Sequence, residues 1–217
     1  MQSLDLFLSR TLPFVPGCPD PLARQALVDS AIEFCEETTI SKYTSEPQAV
    51  TAGVGIYELD LPAQQSVVAT HKAWFGTQRL TPVPAEQIDS ILAYVSSAGS
   101  DIALRADPTL FYESSPGVIG VYPVPSASAA ATLSARISTK PIRTATALED
   151  ILYTDWADAV VAGAIYRLAS MPGQSFTDPK VAITAASTFW GRVNKATDIS
   201  LRGRIRSSIS VRSNPFV

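Results

Sequence analysis

The segment Ala131-Thr-Leu-Ser-Ala-Arg-Ile-Ser138 alternates apolar and polar side chains without interruption. Successive side chains of a β-strand point to opposite faces, so this period of two predicts a strand with one buried face. Leu133, Ala135 and Ile137 are expected to face a core, and the residues between them to face water. A half-buried strand of this kind needs neighbouring strands and a second layer that covers its apolar face.

Further strand signals lie before this segment, in a strand-rich region that spans residues 47–141. Short runs of β-branched and aromatic residues are separated by glycine and proline, a pattern typical of several short antiparallel strands in a small sandwich or barrel. One short helix, at about residues 85–94, is predicted to interrupt the strands after Pro82-Val-Pro84. The runs that predict strands are 50–51, 56–59, 67–75, 110–112 and 118–122.

Two helices with the same start signal lie on either side of the strand-rich region. Asp20-Pro21 and Asp178-Pro179 each place an N-cap residue before a proline at the first helical position. The first helix is expected to run to about Thr39, with its apolar residues three and four positions apart. The second has an apolar stripe that ends at Phe189, Trp190 and Val193.

A third helix is predicted between these two, from Thr146 to about Met171. Thr146 and Glu149 have the spacing of a capping box, in which each side chain satisfies a free backbone N–H. The helix is apolar nearly all round from Ala157 to Ala169, which is typical of a helix at the centre of a bundle.

These elements predict an α+β fold: a bundle of three main helices with a small antiparallel β-module, sandwich-like or barrel-like, inserted between the first and second of them. An extended C-terminal arm follows the last helix. The expected divisions are an N-terminal segment with the first helix (1–46), the β-module with its short helix (47–141), two helices (142–197) and the arm (198–217).

The composition indicates a protein without a membrane span. The chain has 217 residues, of which 46% are hydrophobic and 17% are charged, enough apolar material for one or two cores. No apolar run reaches the roughly 18 residues of a spanning helix. Asp5 stands where a secretory signal would carry positive charge. We therefore expect a soluble protein made in the cytoplasm.

Positive charge is concentrated at the C-terminal end. From Arg192 onward there are six bases and one acid, a net charge of +5, so the net charge of −3 leaves −8 on the rest of the chain. The arm alternates basic or polar residues with apolar ones, which suits an extended segment that docks on another protein. Its expected docking residues are Arg202, Arg204, Ile205, Arg206, Ile209, Val211, Arg212 and Phe216. Nucleic-acid binding is the rival interpretation, but the arm has no aromatic residue before Phe216 on which bases would stack.

The sequence contains no motif for catalysis, a cofactor or a metal. His71 is the only histidine, no serine lies in a Gly-x-Ser-x-Gly elbow, and Cys18 and Cys35 lack the paired spacing of a zinc site. Glu113 beside Tyr112 is interpreted as a solvated rim residue. We therefore predict no catalytic, cofactor-binding or metal-binding residues, and a buried structural role for Cys35.

The order of elements resembles that of the head-to-tail connector, or portal adaptor, proteins of tailed bacteriophages. The resemblance extends over about residues 12–200. It rests on Leu27-Val-Asp-Ser-Ala-Ile-Glu-Phe-Cys-Glu-Glu-Thr38, Tyr57-Glu-Leu-Asp-Leu-Pro62, Leu80-Thr-Pro-Val-Pro-Ala-Glu-Gln-Ile-Asp89, Val121-Tyr-Pro-Val-Pro125, and the helix from Tyr153 to Met171 with Pro-Gly-Gln-Ser after it. The matches around Tyr94 and Tyr112 are only partial.

The resemblance implies a structural protein of the virion neck. Such adaptors form a ring of about twelve copies beneath the portal protein, contact tail or lower-neck proteins, and let DNA pass through the lumen without reading its sequence. Residues 198–217 would then be the portal-docking arm. The net negative charge of the rest of the chain would discourage it from binding the DNA that slides past.

Two other classes of function stay open from the sequence. One is a different virion protein, such as a tail-completion or gatekeeper protein of the neck. The other is a small hydrolase or carbohydrate-binding β-domain, which the apolar helix and the missing catalytic set disfavour.

Overall fold

The computed structural model describes residues 1–88, 90, 107–126 and 131–203, and these form an α+β fold, as predicted. A helical part and a β-module each have their own apolar core. The helices are α1 (Asp5–Thr11), α2 (Asp20–Thr38), α3 (Asp150–Thr154), α4 (Ala157–Ala169) and α5 (Pro179–Arg202), with a 3₁₀ turn at Leu12–Phe14.

The three longest helices pack against one another around aromatic side chains. Phe34 of α2 and Phe189 of α5 are fully buried, with ring centroids 6.4 Å apart. Ser30 of α2 donates a hydrogen bond of 2.8 Å to the Val160 carbonyl of α4. The expectation of three main helices is incomplete, because α1 also packs on α4 and buries Phe7 in the same core.

The helix predicted from Thr146 to Met171 is wrong in its first part. Ala147–Leu148 is instead a short strand paired with Gln2–Ser3, and the chain then forms α3 and α4 separately. The predicted capping box does not form: the Thr146 backbone N–H donates to Gln64 Oε1 at 2.7 Å. The Glu149 carboxylate accepts hydrogen bonds from the β-module, so it does not cap a helix.

The strands form two sheets besides the short β1 (Gln2–Ser3) and β11 (Ala147–Leu148) pair. Sheet 1 has the order β2-β10-β5-β6, with β3 also paired to β10, and sheet 2 has the order β4-β9-β8-β7. The strands are β2 (Lys42–Thr44), β3 (Gln48–Ala49), β4 (Ile56–Glu58), β5 (Gln65–Phe75), β6 (Gln78–Arg79), β7 (Thr81–Pro82), β8 (Leu110–Ser115), β9 (Val118–Tyr122) and β10 (Thr132–Pro141).

Strand β10 is the centre of the β-module and confirms the predicted alternation. Leu133, Ala135 and Ile137 are fully buried, whereas Arg136 is exposed. The two sheets share one core, so their other faces point away from each other. The pairing is antiparallel as predicted, except that β7 lies parallel to β8. Strand β2 joins sheet 1 although the sequence placed residues 42–44 with the helical part.

Two predictions fall partly outside the described residues. Residues 85–88 and 90 are helical, and the remainder of the predicted 85–94 helix, including Tyr94, lies outside them. The arm predicted to be extended from residue 198 is helical up to Arg202, because α5 continues to that residue. Residues 204–217 lie outside the described part of the chain.

Candidate docking arm and its anchor

Helix α5 leads directly into the predicted arm, and its start and end are both well defined. Asp178 caps it: the carboxylate accepts from the backbone N–H of Lys180 at 2.9 Å and of Val181 at 3.3 Å, as the sequence predicted. The helix ends at Arg202, and the next residue, Gly203, has a φ of 73°, in the region that only glycine enters freely. The arm therefore begins at a fixed point, one residue beyond the helix.

The last turns of α5 are fastened to Thr39, in the segment that connects α2 to β2, and to Lys42, the first residue of β2. The ammonium of Lys42 donates to the Ser200 carbonyl at 2.7 Å. The Ser200 hydroxyl donates to the Thr39 carbonyl at 3.2 Å and lies 3.1 Å from the Thr39 hydroxyl. Ile199 packs on the helical core from the same turn. A cation at the C-terminal end of a helix is also favoured by the helix dipole. Lys42 therefore stabilises this end both by its hydrogen bond and by its charge.

Of the predicted docking residues, only Arg202 lies in the described residues. It is exposed and forms an ion pair with Asp198, one helical turn earlier, at 3.8 Å. An exposed pair of this kind contributes little to stability and leaves the guanidinium accessible to a partner. The other seven, Arg204, Ile205, Arg206, Ile209, Val211, Arg212 and Phe216, lie outside the described residues.

A partly buried polar cluster lies next to this anchor, and the sequence did not predict it. The Glu149 carboxylate accepts from the Ser41 hydroxyl, from the Gln65 side-chain amide and, at 3.2 Å, from the Thr139 hydroxyl. Ser41 and Thr139 are themselves 2.8 Å apart. The cluster joins the helical part to sheet 1, because Glu149 directly precedes α3 while its partners lie on or beside the sheet. Its hydrogen bonds therefore hold the two parts of the fold together.

The one histidine is packed into the junction between the two parts of the fold. His71 Nε2 lies 2.5 Å from the Ser138 hydroxyl, which also donates to the Thr39 carbonyl at 3.3 Å. Ser138 is completely buried, so no substrate would reach it. Burial lowers the pKa of His71, and the positive charges of Lys42, Arg136 and Lys72 lower it further.

The described residues contain no cluster that indicates other chemistry. Cys18 and Cys35 are both free and buried, and burial raises the pKa of each thiol. Among residues 1–88, 90, 107–126 and 131–203, no group of histidine, cysteine and acidic side chains is placed to hold a metal ion. Within the same ranges no helix is both long enough and apolar enough to cross a bilayer.

Helix α5 also presents apolar side chains to solvent. Ile183 is 72% exposed, Trp190 42% and Leu201 79%, and their spacing of seven and eleven residues places them on one line along the helix. Trp190 was predicted to face the core; it instead lies on the surface, with its ring edge against Phe189. On the other flank of α5, a groove of about 510 Å³ opens between α4 and α5 beside Phe14 and Arg10. Such surfaces suit protein contacts.

The described site thus consists of a fastened helix end, Pro179–Arg202, that leads into a basic segment. The family model described as SU10 adaptor protein matches residues 7–213. The chain belongs to this family of phage head–tail adaptors, which confirms the resemblance seen in the sequence. It is therefore a structural component of a virion. A comparison with curated proteins found no match.

Proposed function

We propose that this adaptor forms a ring that joins the portal protein to the tail, and that DNA passes through the lumen of this ring without sequence recognition. Residues 204–217, together with Arg202, dock on the portal. Membership of the head–tail adaptor family supports the neck position. The fastened end of α5 is the observation that carries the docking role, because it starts the basic arm from a fixed point on the body.

Charge supports an acidic protein surface as the partner of the arm. The segment from Arg192 to Val217 has a net charge of +5, whereas the rest of the chain has −8. A basic segment is attracted to an acidic portal surface, and the acidic body is repelled by DNA in the lumen. The helical bundle and β-module would supply the wall of the ring, and the lower end of the ring would contact tail or lower-neck proteins.

The test is to mix the purified protein with the portal ring of the same phage and measure the mass of the complex. We expect many copies to join each portal, in a ring visible by electron microscopy. Removing residues 204–217 should abolish binding, since the docking arm is then missing. Replacing Arg204, Arg206 and Arg212 together by glutamine should weaken binding and its dependence on salt.

The matched control replaces an exposed base far from the arm, Arg143→Gln, and should bind normally. Normal binding by the truncated protein would refute the docking role of the arm. Failure of the full-length protein to bind would favour the alternative position, a tail-completion or gatekeeper protein lower in the neck. The hydrolase or carbohydrate-binding alternative has no support from the site, because Ser138 beside His71 is buried.

A further inference from the structure

The two sheets of the β-module carry opposite charges. The strands of sheet 1 contain five bases and no aspartate or glutamate. The strands of sheet 2 contain two acids, Glu58 and Glu113, and no lysine or arginine. Because the sheets share one core, their outer faces lie on opposite sides of the module. The outer face of sheet 1 is positive and that of sheet 2 carries Glu58, whereas Glu113 pairs with the buried Ile119 and so lies toward the inner side. The bases of sheet 1 are Lys42, Lys72, Arg79, Arg136 and Lys140.

Four of these bases lie on the outer face of sheet 1, one on each of four neighbouring strands. Arg136 of β10 is directly opposite Lys72 of β5. The neighbouring pair in the register, Ala135 and Ala73, faces the core, so Arg136 and Lys72 face outward. Arg79 of β6 is opposite Trp74, two residues from Lys72, so it faces the same way. Lys42 of β2 lies two residues from Thr44, which pairs with Arg136. We call Lys42, Lys72, Arg79 and Arg136 the basic face.

The charges of the basic face are not neutralised within the described part of the chain. Lys72, Arg79 and Arg136 form no ion pair with any described residue. Like charges directly opposite each other on neighbouring strands repel. The nearness of Arg136 lowers the pKa of Lys42, in addition to the larger effect of burial. An acidic surface placed against this face would remove the repulsion.

The negative surface of the module is concentrated at one edge of sheet 2. Among the described strands, β4 lies at the edge of sheet 2 and pairs with β9 alone. Glu58 at its end and Asp60 two residues later are exposed, and Ile56 on the same side of the strand is 54% exposed. Tyr57, between them, faces the core. We call Ile56, Glu58 and Asp60 the acidic edge.

We infer that the basic face of one copy binds the acidic edge of the next copy in the ring. Trp74 lies on the basic face, opposite Arg79 and two residues from Lys72, and is half-buried. It would pack on Ile56 of the next copy, because an aromatic anchor beside charges is typical of a binding surface. The contact joins two different surfaces on opposite sides of one module. A head-to-tail contact of this kind closes into a ring when its rotation allows.

A second copy fits these observations better than another partner does. A portal surface or DNA would account for the basic face and leave the acidic edge unexplained. Two surfaces of opposite charge on opposite sides of the same module are complementary to each other, which directs association between identical copies. This inference rests on the proposed ring and assigns the surfaces that hold its neighbours together.

Charge reversal at each surface tests the contact. One variant carries Lys72→Glu, Arg79→Glu and Arg136→Glu, and another carries Glu58→Lys with Asp60→Lys. Either variant alone has two surfaces of like sign, so its self-association at about 50 mM salt should be about tenfold or more weaker than that of the wild type. An equal mixture of the two variants should associate in alternation, and a variant carrying all five changes should recover self-association.

The readouts are analytical ultracentrifugation of the free protein and the number of copies on each portal ring. Lys180→Glu, an exposed change at the N-terminal end of α5, the end opposite to the one that Lys42 holds, is the control and should behave as the wild type. Circular dichroism and thermal unfolding of each variant show that it is folded.

The outcomes separate this contact from the proposed function. Variants that self-associate and gather on the portal as the wild type does would overturn the contact while portal docking stands. Altered portal or DNA binding with unchanged self-association would overturn it in favour of those partners. If the charge changes alter self-association but the wild-type protein does not bind the portal, the contact is upheld and the portal role is refuted. Wild-type protein that neither self-associates nor gathers on the portal would overturn both.

Discussion

Gly163 shows how a single residue sets the approach of three helices. It lies in α4, and a Cβ atom added there would be 2.8 Å from the Phe189 ring of α5 and even nearer to the Ser30 hydroxyl of α2. Real Cβ atoms do not come so close to another heavy atom, so one of the helices would have to move. The small residue is therefore required by packing.

We predict that Gly163→Ala lowers the free energy of unfolding by about 1–3 kcal/mol, because the added methyl group overpacks the helical core. Gly191 is the matched control: it lies in α5, and a Cβ atom added there would meet nothing within 4 Å. Gly191→Ala should raise stability by about 0.5–1 kcal/mol through helix propensity alone. Urea denaturation of both variants checks this, and equal effects at the two sites would contradict it.

His71 makes stability depend on pH at the junction of the two parts. Its pKa is lowered in the folded protein by burial and by three nearby bases, so the unfolded chain binds a proton at a higher pH than the folded one. The contribution of His71 to the free energy of unfolding is therefore fully present at pH values above the ordinary histidine pKa of about 6.5. It is lost as the pH falls from there through the lowered pKa of the folded protein.

We predict that the wild type loses more stability between about pH 7.5 and about pH 5.5 than a His71→Gln variant does, because only the wild type must protonate this ring. Lys72→Gln, which removes one of the facing charges, should make the loss smaller. Chemical denaturation across this range gives the measurement. An identical pH profile for wild type and His71→Gln would show that the ring does not titrate differently on folding.

At the scale of elements, the two Asp-Pro signals look alike in the sequence but differ in the structure. Asp178 is an N-cap with extended backbone, and its carboxylate accepts two backbone N–H groups. Asp20 is already the first residue of α2, the N-cap position is held by Pro19, and no side-chain capping bond forms. The same dipeptide therefore starts both helices but caps only one.

We predict that Asp178→Ala destabilises the protein by about 1 kcal/mol, because two backbone donors lose their acceptor. Asp20→Ala should cost less, since it removes only the weaker attraction of a negative charge to the helix dipole. Thermal unfolding of the two variants in parallel distinguishes these effects. A larger loss at Asp20 would mean that it caps α2 in solution.

The elements that the sequence predicted best are those with a strong local pattern. The alternation of β10 and the amphipathic spacing of α2 and α5 arise from residues close in the chain, so they are readable locally. The other elements depend on contacts between residues far apart in the chain. Thr146 and Glu149 have the spacing of a capping box, but the Thr146 backbone N–H donates to Gln64 and the Glu149 carboxylate accepts from the β-module. The bases of the basic face likewise become neighbours only through strand register, which no local pattern reveals.

At the scale of the whole molecule, a polar junction that joins the helical part to the β-module also holds the helix end from which the arm begins. Glu149 joins Ser41 and Thr139 there, and the α2–β2 connection continues from Ser41 to Lys42, which holds the end of α5. The base of the arm is thus tied to both parts of the fold. Under the proposed docking role, a load on the arm would be transmitted to both parts and not to α5 alone.

The position of this anchor predicts where the chain can be cut. Deletion of residues 204–217 should leave stability close to that of the full chain, because the described contacts that fasten α5 end at Ser200 and the helix itself ends at Arg202. Deletion of residues 198–217 should lower the free energy of unfolding by about 1–3 kcal/mol, since it removes the packing of Ile199 and the hydrogen bonds of Ser200. Urea denaturation of the two truncated proteins gives the comparison. Equal stability of both would show that the last turn does not anchor the arm, and a large loss in the shorter deletion would mean that the arm itself stabilises the body.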